Sequence, residues 1–497
     1  MTIPLTKHAE VNFLQPQYIS RRQMLKMSGM GMGAVAASAL LNSAGYTAEE
    51  PGFSTHPRRQ VDVLPRAGHF PGRAKAVIQL VMTGGPSQMD LFDPKPLLNS
   101  RHDQVFEIKI DPLQGGSESN KLLGTPFKFY KRGNCGMDMS EVLTHLPQIA
   151  DDICLVRSLV GVHNNHTEGI VNLACGKMFI GRPTMGAWIS YGLGTENQNL
   201  PAFVVLRDPD GYSTSGGLMS LSGWMPALYG GTEFNTRGPV VDNLHSARKV
   251  PKTVARQNLE FLARLNQNHQ RQYPDDSELE TRIKNYELAA RMQLSASHAL
   301  DLSQETQATQ NFYGLDNPET AGYGTRCLLA RRLVEQGVRF VQVFSEKGQP
   351  WDHHGGLENG LRDMCRKTDP GTVALIKDLK QRGLLDSTIV VWSGEFGRMP
   401  VAQNKNGRDH NKRAGCLFLA GGGFKGGLTY GATDDVGYTA TENPFSVPDM
   451  FATIMHQMGI DHSRLVYKHA GRFESATDDV VTGAKVHPAI INSPLLS

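Results

Sequence analysis

One pattern limits the architecture of this chain more than any other. Short apolar runs recur along it, and each is halted by a polar, glycine-rich stretch. Ala76-Val77-Ile78-Gln79-Leu80-Val81-Met82 stops at Thr83-Gly84-Gly85-Pro86, and comparable runs lie at 153–156, 202–206, 338–344, 388–392 and 416–420. Consecutive rather than alternating apolar residues over so few positions mark strands buried on both faces. Amphipathic helices lead into two of them. Cys327, Leu328, Ala330, Leu333 and Val334 fall on helical spacing before Gly337 and the strand at 338–344, while Val373, Leu375, Ile376 and Leu379 precede Gly383 and the strand at 388–392. Helices alternating with buried strands pair the strands in parallel and cover both faces of the sheet. The expected fold class is therefore α/β, doubly wound, with a mostly parallel sheet.

Other segments depart from this rhythm. Residues 255–310 carry Leu259, Leu262, Leu265, Leu279, Ile283, Leu288 and Met292 among many charged and amide side chains, and read as two inserted surface helices joined near Pro274. The stretch from Gly211 to Gly231, with Trp224 and Tyr229, is too irregular for a strand and suits either a loop over a pocket or a solvated excursion. Gly421 to Gly427 lacks phosphate-cradling spacing and reads as a tight turn. Residues 46–75 hold four prolines and form an irregular leader to a main domain at 76–497.

Ahead of the leader, Ser20-Arg21-Arg22-Gln23-Met24-Leu25-Lys26 precedes a weakly apolar run rich in Gly, Ala and Met, so residues 1–45 resemble a twin-arginine signal peptide. The expectation is export to the periplasm or beyond, with the twin-arginine translocation machinery as a partner. No later stretch reaches the roughly 18 apolar residues of a membrane span. Signal and body also divide the charge: the formal net charge of +3 arises wholly within residues 1–45, and the remainder is neutral. A neutral body offers no electrostatic footprint for nucleic acid. The six cysteines are scattered without a CxxC pair and read as core thiols, with one or two disulfides open in an oxidising compartment.

Ligands of open parallel sheets bind beyond the carboxyl ends of the strands, and here those ends are polar and rich in histidine. They carry Asp90 and Asp93 after the first strand, His163, His166 and Thr167 after the second, Asp352, His353 and His354 after 338–344, and Glu395 with Arg398 after 388–392; Arg408, Asp409 and His410 follow soon after. Carboxylates and imidazoles crowded on one rim repel or titrate away unless a cation offsets them. Mixed oxygen and nitrogen donors suit zinc or manganese better than calcium. Each group has a plainer reading: Glu395 in a salt bridge to Arg398 or Arg408, Asp93 starting a turn before Pro94, His163, His166 and Thr167 in loop hydrogen bonds. There is no GxSxG elbow, P-loop or HExxH, and no GxGxxG after the first strand, to point elsewhere.

In order, SRRQMLK, TGGPSQMDLFDPKP, HNNHTEGIVNLACGK, WDHHGG, VVWSGEFGRMP, GRDHN and LAGGGFKGGLTYGATDD resemble the exported family called domain of unknown function 1501 over nearly the whole chain after residue 75. The resemblance implies an alkaline phosphatase and sulfatase-like fold. It implies metal ligands among Asp90, Asp352, His354, Glu395, Asp409 and His410, a hydroxyl nucleophile at Thr167, His163 or His166 as proton donor, and Arg398 as a partner for developing negative charge. Phe396 stands where that superfamily has a second-metal histidine or asparagine, and the sulfatase activation motif Cys-x-Pro/Ser-x-Arg is absent. The expected function is metal-dependent hydrolysis of a phosphate or sulfate ester, carried by a small molecule or a glycan. The alternative is a non-catalytic secreted protein that binds sulfated or phosphorylated glycans on the same scaffold.

Overall fold

The apolar runs form the centre of one large sheet. Its strands are β1 (Ala76–Val81), β2 (Ile153–Val160), β3 (Phe203–Leu206), β4 (Thr232–Phe234), β5 (Phe340–Phe344) and β6 (Thr388–Ser393). After the hairpin β7 (Gly397–Gln403) and β8 (Gly407–Asn411), the sheet is completed by β9 (Gly415–Ala420), β10 (Leu428–Tyr430) and β11 (Phe445–Ser446). The order is β10-β2-β9-β6-β1-β5-β3-β4, with β11 also on β2. The computed structural model describes residues 61–110, 115–238, 240, 251–273, 276–295 and 300–492. The expected signal at 1–45 and the leader as far as 60 lie outside the described residues.

Strand period and helix placement explain the double winding. Ile78 and Leu80 of β1 enter a core with Leu328 and Leu333 of α5 (Pro318–Glu335) and Leu361, Leu375 and Ile376 of α6 (Leu357–Gln381). Val77 and Val81 point the other way. They join Ile170 and Leu173 of α1 (His166–Cys175), Trp188 and Ile189 of α2 (Met185–Leu193), and Phe451 and Ile454 of α7 (Val447–Gln457). Gln79 and Gln342 stand in register on β1 and β5, and Gln342 Nε2 donates to Gln79 Oε1 at 3.0 Å inside the second layer.

β1 pairs in parallel with both β5 and β6. β9 runs antiparallel to both β6 and β2. The reason is its connection: the chain between β6 and β9 is spent on a hairpin, with no crossover helix to return it to the far end of the sheet.

The insertion forms α3 (Lys252–Gln272) and α4 (Ser277–Ser295). Phe261, Leu262 and Leu265 of α3 are exposed, whereas Ile283, Leu288 and Met292 of α4 are buried. Residues 61–75 contain no helix or strand, and they pack within the compact unit Val61–Ser497. Val61 and Val63 are buried, and the Arg73 and Ala74 N–H groups donate to Gln457 O at 2.8 and 2.9 Å. The stretch from Gly211 to Gly231 is two short 3-10 turns, Gly216–Ser220 and Ala227–Tyr229. Gly421, Gly422 and Gly423 all have positive φ, as a tight turn requires. All six cysteines are free, and five are buried.

Candidate metal centre

Four side chains from three segments meet at one point. His166 is the first residue of α1, beyond β2; Asp352 and His354 lie in the loop after β5; His410 comes from β8. Each offers a ligand atom, and these atoms all lie within 4.8 Å of one another. The Nε2 atoms of His166, His354 and His410 stand 3.2, 3.0 and 3.1 Å from the Asp352 carboxylate.

The outer side of two rings is fixed. His166 Nδ1 donates to Glu395 Oε1 at 2.6 Å, and the Gly84 N–H donates to the same carboxylate at 2.9 Å. His354 Nδ1 donates to Gln403 Oε1, and Gln403 orients its amide by donating Nε2 to Gly115 O at 2.9 Å. A neutral imidazole that donates from Nδ1 presents a lone pair at Nε2. In both histidines that buried Nε2 has no hydrogen-bond partner. Lone pairs set against a carboxylate repel it unless a cation or a proton lies between. The residues therefore fit a metal ion, with three nitrogens, one oxygen and outer partners of the kind that orient metal-binding histidines.

Backbone geometry brings the loops close enough. Gly84 has φ +115°, and a Cβ there would lie 2.6 Å from Asp352 N. At Gly407 a Cβ would lie 2.1 Å from the His354 carbonyl carbon. A bulge between Arg408 and His410 sets their register on β7, where His410 faces Arg398. Phe396 fills the space beside the centre, with ring centroids 5.0 Å from His166 and 4.6 Å from His410.

The remaining expected site residues have other engagements. Asp90 is not among the converging four: Arg408 grips both its oxygens at 2.7 and 3.0 Å, and both side chains are fully buried. Glu395 is also outside the four and acts on His166 and Gly84 instead. Asp409 accepts the His410 N–H at 2.7 Å. Arg398 is buried, donating to Asp352 Oδ1 at 2.6 Å, Gly85 O at 2.8 Å and Arg408 O at 2.9 Å, and also to Gly84 O. It ties loops together rather than facing solvent. Thr167 Oγ1 lies 3.2 Å from Ser215 Oγ. His163 is half-buried and accepts the Asn165 N–H on Nδ1 at 3.0 Å. Gln403 was invisible to sequence reasoning because an amide carries no metal-ligand signature; the Gly84-Gly85 pair was the one local sign of a close approach.

Burial pushes the Asp352 carboxyl up, but the His166, His354 and His410 imidazoles set against it and the charge of Arg398 outweigh it and hold the group far below the carboxylate range. Burial likewise opposes charge on His166 and His354. Asp352 with Glu395 in the first, and Asp352 with Gln403 in the second, nevertheless raise both above 6.5. Burial brings His410 down to about 3, and burial with Arg398 brings His353 down to about 4.

Protons held more firmly than usual on His166 and His354 compete with the ion, so affinity should weaken as pH falls, starting above 6.5. Displacing two protons predicts a loss approaching about 100-fold per pH unit once both rings are charged. Competition with a chelator across pH 5–8 measures the slope; a flat profile contradicts it.

The family model described as "Protein of unknown function (DUF1501)" matches residues 74–490. The chain belongs to that family. No curated protein matches this DUF1501 chain. Among solved structures, Ps i-CgsB in complex with k-i-k-neocarrahexaose is similar at 10% identity and TM-score 0.36, covering 84% of this chain and 77% of that one. The PsFucS1 sulfatase from Pseudoalteromonas sp. matches at 12% identity and TM-score 0.32, over 78% and 68% of the two chains. Alkaline phosphatase from the Antarctic bacterium TAB5 matches at 11% identity and TM-score 0.29, over 70% and 92%.

Proposed function

We propose that this DUF1501 protein is an exported, metal-dependent hydrolase of phosphate or sulfate esters. The observation that carries the reading is the convergence of three imidazole nitrogens on the Asp352 carboxylate, with the outer nitrogens of His166 and His354 already committed. Three nitrogen donors favour zinc or manganese over calcium, which takes oxygen ligands. Held by His166, Asp352, His354 and His410, such an ion would polarise the ester and acidify a water.

The chain's own groups complete the chemistry. Thr167 sets a hydroxyl beside His166 at the start of α1, where the helix dipole favours an oxyanion. His163 accepts on Nδ1, which leaves its Nε2 proton for a leaving group. Arg398 keeps Asp352 ionised and placed, as a positioning residue. Phe396, an apolar ring where the resemblance places a second-metal ligand, packs against His166 and His410, which supports a single-metal centre. The twin-arginine pattern at 20–26 supports export in the folded state, and no helix among the described residues is long and apolar enough to cross a membrane.

Elemental analysis of purified protein, with a panel of chromogenic phosphate and sulfate esters, tests the proposal. About one zinc or manganese per chain is expected, with turnover abolished by chelation and restored by the ion. Bound metal without turnover on any ester would reject hydrolysis in favour of the glycan-binding alternative. Glu395→Gln keeps the size of the side chain but removes the charge behind His166, and should weaken metal binding about 10–100-fold. Unchanged affinity in that variant would remove Glu395 from the centre.

A further inference from the structure

A cavity of about 580 Å³ lies beside the loop that follows His354, lined in part by Asn99, His102, Asn359, Lys405 and Asn406 over a floor that includes Leu123 and Leu357. Two side chains of the β7–β8 turn tie it to that loop. Asn406 clasps Gly356, two residues beyond His354, and Asn404 Nδ2 donates to His354 O at 3.1 Å.

Three of the lining side chains keep only donors for a ligand. Asn99 Oδ1 accepts the Thr125 N–H at 2.8 Å, Asn406 Oδ1 accepts the Gly356 N–H at 3.0 Å, and His102 Nδ1 accepts the Gly124 N–H at 3.2 Å. Each spends its acceptor on the scaffold, so each keeps a donor: two amide NH₂ groups and the His102 Nε2 proton. The Lys405 ammonium has no ion-pair or hydrogen-bond partner among the described residues. The one carboxylate in the lining, Glu358, is engaged by Arg362 at 3.2 Å. A wall of donors with a free cation is complementary to a ligand rich in acceptors and negatively charged.

We propose that this cavity is a subsite for an anionic substituent, a sulfate, phosphate or carboxylate, on a part of the substrate beyond the reacting ester. The assignment rests on the hydrolase reading for the word substrate, and its test needs no turnover. Lys405 lies at φ +75° beside Asn404 at φ +48°, the two central positions of the β7–β8 turn. Glycine is at home in that conformation, so Lys405→Gly should fold without strain.

Calorimetric titration with a heparin-derived tetrasaccharide, against the metal-loaded protein, reads the subsite. Binding should weaken about tenfold or more in Lys405→Glu and severalfold in Lys405→Gly, with the metal content of both variants retained. Neutral maltotetraose should not compete, and inorganic sulfate should bind far more weakly than the tetrasaccharide. Equal affinity of wild type and Lys405→Glu, absence of tetrasaccharide binding, or sulfate binding as tightly as the tetrasaccharide would overturn the proposal. Failure of the hydrolase reading shows separately, as loss of turnover on the ester panel with these affinities intact.

Discussion

Replacing Arg408 with alanine is expected to destabilise the domain by about 3–5 kcal/mol, read as a fall in the urea midpoint. The pair it forms with Asp90 has no exposed side-chain surface on either partner. Alanine would therefore leave a carboxylate stranded in the interior, relieved only by Ser87 Oγ. The desolvation cost of that orphan, rather than the attraction of the pair, sets the magnitude. Exchanging both residues together, Asp90→Leu with Arg408→Met, should recover much of the loss, because no charge is then buried. A single-variant loss below about 1 kcal/mol would mean that water reaches the site, contrary to its burial.

The second large effect concerns Asp352. Asp352→Ala removes the group on which three imidazoles and Arg398 converge, so bound metal should fall from about one ion per chain to near zero, and ester turnover by at least about a thousandfold. The fold should persist, since Asp352 lies in a loop beyond β5 and Arg398 keeps the carbonyl oxygens of Gly84, Gly85 and Arg408 as acceptors. Asp352→Asn separates shape from charge: it keeps an acceptor for Arg398 but loses the anion, and should still bind the ion poorly. Elemental analysis and kcat/KM measure both variants. Wild-type metal content in Asp352→Ala would remove this carboxylate from the ligand set and end the case for the centre.

The parts of this arrangement that follow from local chemistry were readable in the sequence. Runs such as Val77–Val81 and Ile389–Trp392 announce doubly buried strands because no polar face interrupts them, and His354 and His410 stand out by residue type at strand ends. Pairings across the chain have no such local mark. Nothing near Asp90 signals that Arg408 will take its charge, and nothing near Gln403 signals that it will hold His354. The direction of β9 was hidden for a related reason: its short apolar run looks the same whichever way it enters the sheet, and only the missing crossover helix before it fixes the choice.

The partners around the centre also impose an order of events. Gly84 reaches Glu395 across 311 positions, and Asp90 reaches Arg408 across 318. Loops of that size close late, after the intervening strands have docked. Capture of an ion would then mark the moment when the beginning and end of the domain have met. Under the proposed export of the folded chain, this would make the inorganic ion a seal of completion, and a chain stalled short of closure would travel without one.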